Sequence, residues 1–260
     1  TQAAASASAS APAAVGRDAA ATSPGGGLMS QVVARFRNAS VPTLLAGPPE
    51  RIVRFKQPDD WSCVFRVAQT LFLFLVRCGG PYAAALYAAE LAGEGRPADV
   101  GQIQARIELA WLDEYDPEGA RKFGGQLVGT DKKISLAEVA VVLRAAGVRA
   151  NVTSWDAKRF GSGTAAAREL IRTVATLFAK REWSSDTRPP VLLSVDEHAV
   201  VVVAHVGGAA PCLVVLDPAG EKPIGGLDAA ELARRAACFE ILYVRPEVRT
   251  GLSKRLRDVV

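Results

Sequence analysis

Gln57-Pro58-Asp59-Asp60-Trp61-Ser62-Cys63-Val64-Phe65-Arg66 is an acidic, aromatic loop that leads into a cysteine. Val67, Ala68, Leu71, Phe72, Leu73, Phe74, Leu75 and Val76 follow. Their density predicts a buried helix with Cys63 in its first turn. That end of a helix carries partial positive charge, which favours an anion. The thiolate is the reactive form of cysteine, so the position suits a nucleophile. It also suits an inert core thiol, because free cysteine is among the most buried residue types. The rest of the chain decides between the two.

At 260 residues and 49% hydrophobic, the chain is long and apolar enough for one large domain or two small ones. The net charge of +4 is mostly dispersed, apart from the tail Lys254-Arg255-Leu256-Arg257. Dispersed charge reads as a solvated surface, so direct nucleic-acid binding is not expected. The four cysteines (Cys63, Cys78, Cys212 and Cys238) form no CxxC pair. Neither a zinc site nor a disulfide framework is indicated, and no metal or organic cofactor is expected. Reduced thiols fit the cytosol or the nucleus. The apolar run around Leu71 is bounded by Arg66 and Arg77 and is too short to span a bilayer.

Residues 1–28 are rich in Ala, Ser, Gly and Pro and read as a disordered leader. Residues 29–260 read as a single catalytic domain. The sequence starts at Thr1 without an initiator methionine, as an excerpt would. A short amphipathic helix is expected at residues 29–36 and a strand at 51–55. The Cys63 helix stops at Gly79-Gly80-Pro81. Helices are expected at 82–92 and 100–112. Ser135 with Glu138 forms a capping-box pattern before a further helix. A strand at 148–152 and a helix at 165–180 follow. The last third is strand-rich: 191–195, 199–206 and 212–216 are joined by short turns, which predicts an antiparallel meander. A helix at 229–237 and a strand at 239–244 complete an α+β architecture. A helical N-terminal half packs on a mostly antiparallel C-terminal sheet.

Of the two histidines, His198 sits in a turn feeding a strand, and Asp217 ends the next strand. If these strands pair, His198 and Asp217 share one edge of the sheet. Asp217 could then accept from one imidazole nitrogen and leave the other for the thiol. That is the arrangement of nucleophile, base and orienting acid, here in the order Cys63, His198, Asp217. The competing reading makes His198 a surface turn residue and Asp217 a turn former before Pro218. His205 lies inside the apolar run, at an odd offset from His198 that puts it on the opposite face of a regular strand.

Trp61-Ser62-Cys63-Val64-Phe65-Arg66, with Gln69, resembles the tryptophan-glycine-cysteine-glycine-tyrosine-arginine motif of the ubiquitin-fold-modifier-specific protease family. The match tightens for its zinc-finger-containing ubiquitin peptidase branch. Residues 103–129, 134–155 and 196–218 resemble that branch too, with His198 and Asp217 at the family's histidine and aspartate. Ser62 and Val64 replace the motif glycines, and Lys133 replaces a tryptophan. The sister proteases carry Asp-Pro-His where this chain has Asp217-Pro218-Ala219.

The resemblance implies a papain-like cysteine protease fold and a deubiquitinase. Such an enzyme is a thiol isopeptidase that cuts after the C-terminal glycine of ubiquitin or polyubiquitin. Extended chains of the kind used in signalling and the DNA-damage response are favoured. The alternatives are a protease for the ubiquitin-fold modifier and an inactive ubiquitin-binding module. Gln57 lies at the offset where papain-like enzymes place an oxyanion donor. By the same resemblance Asp116 and Glu138 pair with the arginines of the ubiquitin tail, and Trp61 packs beside the nucleophile. From the residues alone, Asp116 and Glu138 read equally well as helix caps.

Overall fold

The computed structural model describes residues 43–93, 95–221 and 224–248. The leader, the helix expected at 29–36 and the basic tail lie outside the described residues.

In chain order the elements are β1 (Thr43–Leu45), α1 (Cys63–Cys78), α2 (Gly80–Ala88), β2 (Ala92–Gly93) and β3 (Arg96–Pro97). Next come α3 (Val100–Leu112), α4 (Pro117–Phe123), α5 (Leu136–Ala145) and β4 (Val148–Asp156). The last part holds α6 (Ala157–Phe160), α7 (Gly163–Ala179), β5 (Val191–Val195), β6 (His198–Val206), β7 (Cys212–Leu216), β8 (Ile224–Asp228), α8 (Ala229–Arg235) and β9 (Cys238–Val248).

Helix α1 is buried at every position from Cys63 to Val76. A helix that is apolar on all sides belongs in the middle of a core. Phe65, Phe72 and Phe74 are completely buried, each worth about 1.5–3 kcal/mol relative to exposure. The polar residues of α1 make hydrogen bonds both within the helix and to distant backbone. Arg66 Nη1 donates to Gln69 Oε1 at 3.1 Å, and Gln69 Nε2 donates to the Ala98 carbonyl at 2.9 Å. The helix ends at Gly79, whose φ of 72° is cheap only for glycine.

Seven strands form one sheet in the order β4-β9-β5-β6-β7-β8, with β1 paired to the far end of β6. Every pairing is antiparallel. β6 is buried from Ala199 through Val206, which requires cover on both faces. Helices α1, α2, α3 and α5 pack together and reach the sheet through α1, α2 and α5. Helix α7, with α6 and α8, forms a second group that packs on β1, β4, β6 and β9.

The expected meander of β5, β6 and β7 is present. β9 then returns between β4 and β5, a long-range pairing that no local signal announces. The division into helical and sheet halves is looser than expected, because β1 and β4 join the sheet while α7 and α8 cover it.

Two expectations are corrected. Residues 51–55 do not form a strand. A single turn of 3-10 helix spans Pro49–Arg51, and residues 52–57 are irregular. This segment spends its polar groups on the loop after β7 instead of on a ladder. His205 does not face away from His198. Val202 pairs with Val215 but Ala204 pairs with Val214, so β6 carries one extra residue at Val203. A bulge of this kind resets the alternation. His205 therefore shares a face with His198, roughly 20 Å further along the strand.

Candidate active site

Asp59 builds the turn that presents the cysteine. Its Oδ1 accepts from the backbone N–H of Trp61 at 3.1 Å and of Ser62 at 2.7 Å. Asx turns of this kind replace backbone bonds that an irregular loop lacks. Ser62 is the N-cap residue at φ −85°, and Cys63 is the first residue of α1. Neither Ser62 nor Val64 has positive φ, so the absence of glycine on either side of the cysteine costs no backbone strain. Trp61 is half-buried and meets Phe65 edge-on, with ring centroids 5.7 Å apart.

The sheet supplies the partners. Val201 pairs with Leu216, so the start of β6 lies beside the end of β7. His198 Nε2 is 2.8 Å from Asp217 Oδ1. The other ring nitrogen, Nδ1, is left for Cys63, and the imidazole and the thiol lie close enough to act on each other's titration. Burial pushes the Cys63 thiol up, but the His198 imidazole and the Ala199 and Val64 backbone outweigh it, and the net direction is down. His198 is raised from 6.5 to about 9, mainly by Asp217 and then by Cys63. The two shifts run in the direction that favours a thiolate beside an imidazolium. Burial alone would raise Asp217, yet His198 and the Ala219 and Gly220 N–H groups bring it below the usual carboxylate range.

The turn before His198 is unusual. Val195 pairs directly with His198, so Asp196 and Glu197 form a two-residue hairpin loop, at φ 50° and 63°. Such loops ordinarily use Asn and Gly, which tolerate positive φ. The Glu197 carbonyl accepts from the Cys63 thiol at 3.8 Å.

The other expected site residues are dispersed. Gln57 is buried, and its N–H donates to the Pro218 carbonyl at 3.0 Å. Its Oε1 makes no hydrogen bond among the described residues. Asp116 is the N-cap of α4 and accepts from Gly119 N–H at 2.9 Å. A Cβ on Gly119 would clash with the Asp116 carboxylate and push it out of the cap. Glu138 is buried in the capping box of α5, with its Oε2 2.6 Å from Ser135 N and 2.7 Å from Ser135 Oγ. His205 is buried at the far end of β6, held below its ordinary value by desolvation, with Nδ1 unpartnered among the described residues.

A groove of about 520 Å³ begins at Val64, next to the cysteine. Its lining includes Lys122, Lys133, Ser135, Asp196, Glu197 and Glu240. Lys133 Nζ and Glu197 Oε2 face each other at 4.0 Å, both exposed. The Glu240 carboxyl is pushed up by burial and by Glu138, while Lys122 pulls it down. Arg54, Asp59, Glu197 and Glu240 all bear on this site without having been singled out in the sequence. Only Asp59 left a local signal, an Asp just ahead of a helix start. Among the described residues no group of three His, Cys, Asp or Glu could hold a metal ion, and no helix is long and apolar enough to cross a membrane.

Residues 53–229, more than half of the chain, match the model of peptidase family C78. The chain belongs to peptidase family C78. Among curated relatives, the zinc finger-containing ubiquitin peptidase 1 of Bos taurus is 27% identical over 165 residues, and that of Homo sapiens 26%. Each alignment covers 61% of this chain and 27% of the relative. The chain thus spans about a quarter of the length of the curated relatives it matches. The crystal structure of UfSP from C. elegans superposes with a TM-score of 0.56 at 13% identity, over 85% of this chain and 37% of that one. The C78 fold seen here is the papain-like cysteine protease fold. A cysteine-bearing helix packs on an antiparallel sheet that carries the histidine.

Proposed function

We propose that this chain is a thiol isopeptidase that releases a ubiquitin-like modifier, ubiquitin itself, from its conjugates. The contact of Cys63 with His198, with His198 Nε2 2.8 Å from Asp217 Oδ1, carries the reading. The Cys63 thiolate attacks the carbonyl of the modifier's terminal glycine. The tetrahedral oxyanion is met by the Cys63 N–H, one of the unpaired donors at a helix start, and by the Gln57 side-chain amide. Collapse breaks the C–N bond, and His198 gives its proton to the leaving lysine amine. A water deprotonated by His198 then hydrolyses the thioester and regenerates the thiolate.

Ubiquitin is preferred because the curated relatives are named as ubiquitin peptidases. Polyubiquitin of extended, signalling type, including that of the DNA-damage response, is the proposed substrate, in the cytosol or nucleus. Asp116 and Glu138 are the proposed partners of the arginines in its tail, with Trp61 packing beside the nucleophile. The carboxylates of Asp196, Glu197 and Glu240 line the groove that such a tail would enter, alongside Lys122 and Lys133. The test is a pair of fluorogenic substrates, one carrying ubiquitin and one the ubiquitin-fold modifier. Ubiquitin should be cleaved with the higher kcat/KM. The reverse preference would reassign the substrate, and cleavage of neither would leave a binding module.

A further inference from the structure

Four carbonyl and carboxylate groups converge on the loop after β7, and a single side chain gathers three of them. Arg54 Nε donates to the Asp217 carbonyl at 2.7 Å, and its Nη2 donates to the Pro218 carbonyl at 3.1 Å and to the Gly220 carbonyl. The Gln57 N–H donates to the same Pro218 carbonyl. On the other side of the loop, Asp217 Oδ1 accepts from Ala219 N–H at 2.8 Å and Gly220 N–H at 3.2 Å while it faces His198. The direction of the Asp217 carboxylate is therefore fixed by the loop backbone, and the loop backbone is fixed by Arg54.

The same segment continues through Gln57 to Asp59, which builds the turn ahead of Cys63. One short stretch of chain thus sets the position of the orienting acid and of the nucleophile together. We propose that Arg54 is a positioning residue, which clamps the Asp217–Gly220 loop so that Asp217 holds the His198 imidazole toward Cys63. The inference rests on the Cys63, His198 and Asp217 reading above. A planar guanidinium presents several donors in a fixed fork, whereas an ammonium is a single point of donation. Lysine keeps the charge and cannot span the three carbonyls.

The charged groups acting on His198 are Asp217 and Cys63, and releasing the loop would move Asp217. The experiment compares wild type, Arg54→Lys, Arg54→Gln and Asp217→Asn in the full chain. It follows the melting temperature and the rate at which iodoacetamide alkylates Cys63, read by peptide mass spectrometry as a function of pH. Hydrolysis of a ubiquitin substrate is followed across the same range. Arg54→Lys is expected to stay folded and to lose about 10- to 100-fold in kcat with little change in KM, as a displaced catalytic group does. Its alkaline limb moves from about 9 towards 6.5, and the alkylation profile moves with it. Adding Arg54→Lys to Asp217→Asn should cost little more than Asp217→Asn alone, since both break one link. An unmoved limb in a folded variant, full activity of Arg54→Lys, or additive losses would overturn the proposal. So would failure of both Arg54 variants to fold, which makes Arg54 structural. If wild type hydrolyses no modifier substrate, the functional reading fails, and the alkylation profiles still decide the role of Arg54.

Discussion

His198 Nε2 and Asp217 Oδ1 lie 2.8 Å apart across the start of β6 and the end of β7. This contact is the largest cause of the His198 shift from 6.5 to about 9. Activity should therefore rise as the thiolate forms and fall as the imidazolium loses its proton through about 9. The two limbs belong to the coupled pair. A pH profile of kcat/KM checks this, and an alkaline limb near 6.5 would contradict it.

The same contact links stability to pH. A histidine raised in the folded state contributes stability that is complete below 6.5 and lost as pH rises through about 9. Asp217 lies below its ordinary 3.8, so its share is lost in stronger acid. The stability gap between wild type and Asp217→Asn should be widest just below pH 6.5 and narrow as pH rises through about 9, leaving the share that Asp217 draws from the Ala219 and Gly220 N–H groups. Chemical denaturation at several pH values measures it, and a pH-independent gap would refute the linkage.

The two histidines should separate cleanly. His198→Ala is expected to lower kcat/KM by about 10²–10⁴-fold. His205→Ala should leave turnover intact and lower the melting temperature, because it empties a buried site. His205→Leu should recover that stability, since the buried Nδ1 has no partner to lose. If His205→Ala removes turnover in a folded protein, the wrong base has been identified.

The recognition of an arginine-bearing tail is separable from helix capping. Asparagine caps as well as aspartate, and glutamine serves in a capping box, so Asp116→Asn and Glu138→Gln keep the caps and remove the charge. If these carboxylates bind arginine, each loss is about 1.5–3 kcal/mol, roughly tenfold to hundredfold in kcat/KM. The loss should appear with ubiquitin and not with a short glycine-ended peptide. Glu240→Gln tests the groove wall in the same assay. Equal losses on both substrates would remove these residues from recognition.

The Asp196-Glu197 turn stores strain, of order 1 kcal/mol or more at a non-glycine residue with positive φ. Asp196→Asn with Glu197→Gly supplies the residues such a loop prefers. The double variant should melt no lower than wild type, because the exposed Lys133–Glu197 pair contributes little. A clear fall in melting temperature would show that the turn is not strained.

Much of this was legible in the chain, and the reasons are specific. The Ser135 and Glu138 capping box, the stop at Gly79 and the short turns of the β5-β6-β7 meander are local signals, and each is present. The meander brings His198 to Asp217, so their meeting follows from turn lengths. The short β1 and the glycine-bearing β8 lack β-branched density and left no trace. The bulge at Val203 is set by pairing with β7, so alternation misplaced His205. Arg54 gave no signal, because its role exists only once a loop far along the chain folds against it.

The central claim is that Cys63 is a nucleophile reached by a ubiquitin C-terminus. Ubiquitin carrying an electrophile in place of its terminal carboxylate would test it most directly, with the modified peptide mapped by mass spectrometry. The account predicts one covalent adduct, on Cys63, formed by wild type and strongly slowed in His198→Ala. No adduct, or an adduct on the exposed Cys238 with Cys63 unmodified, would contradict it.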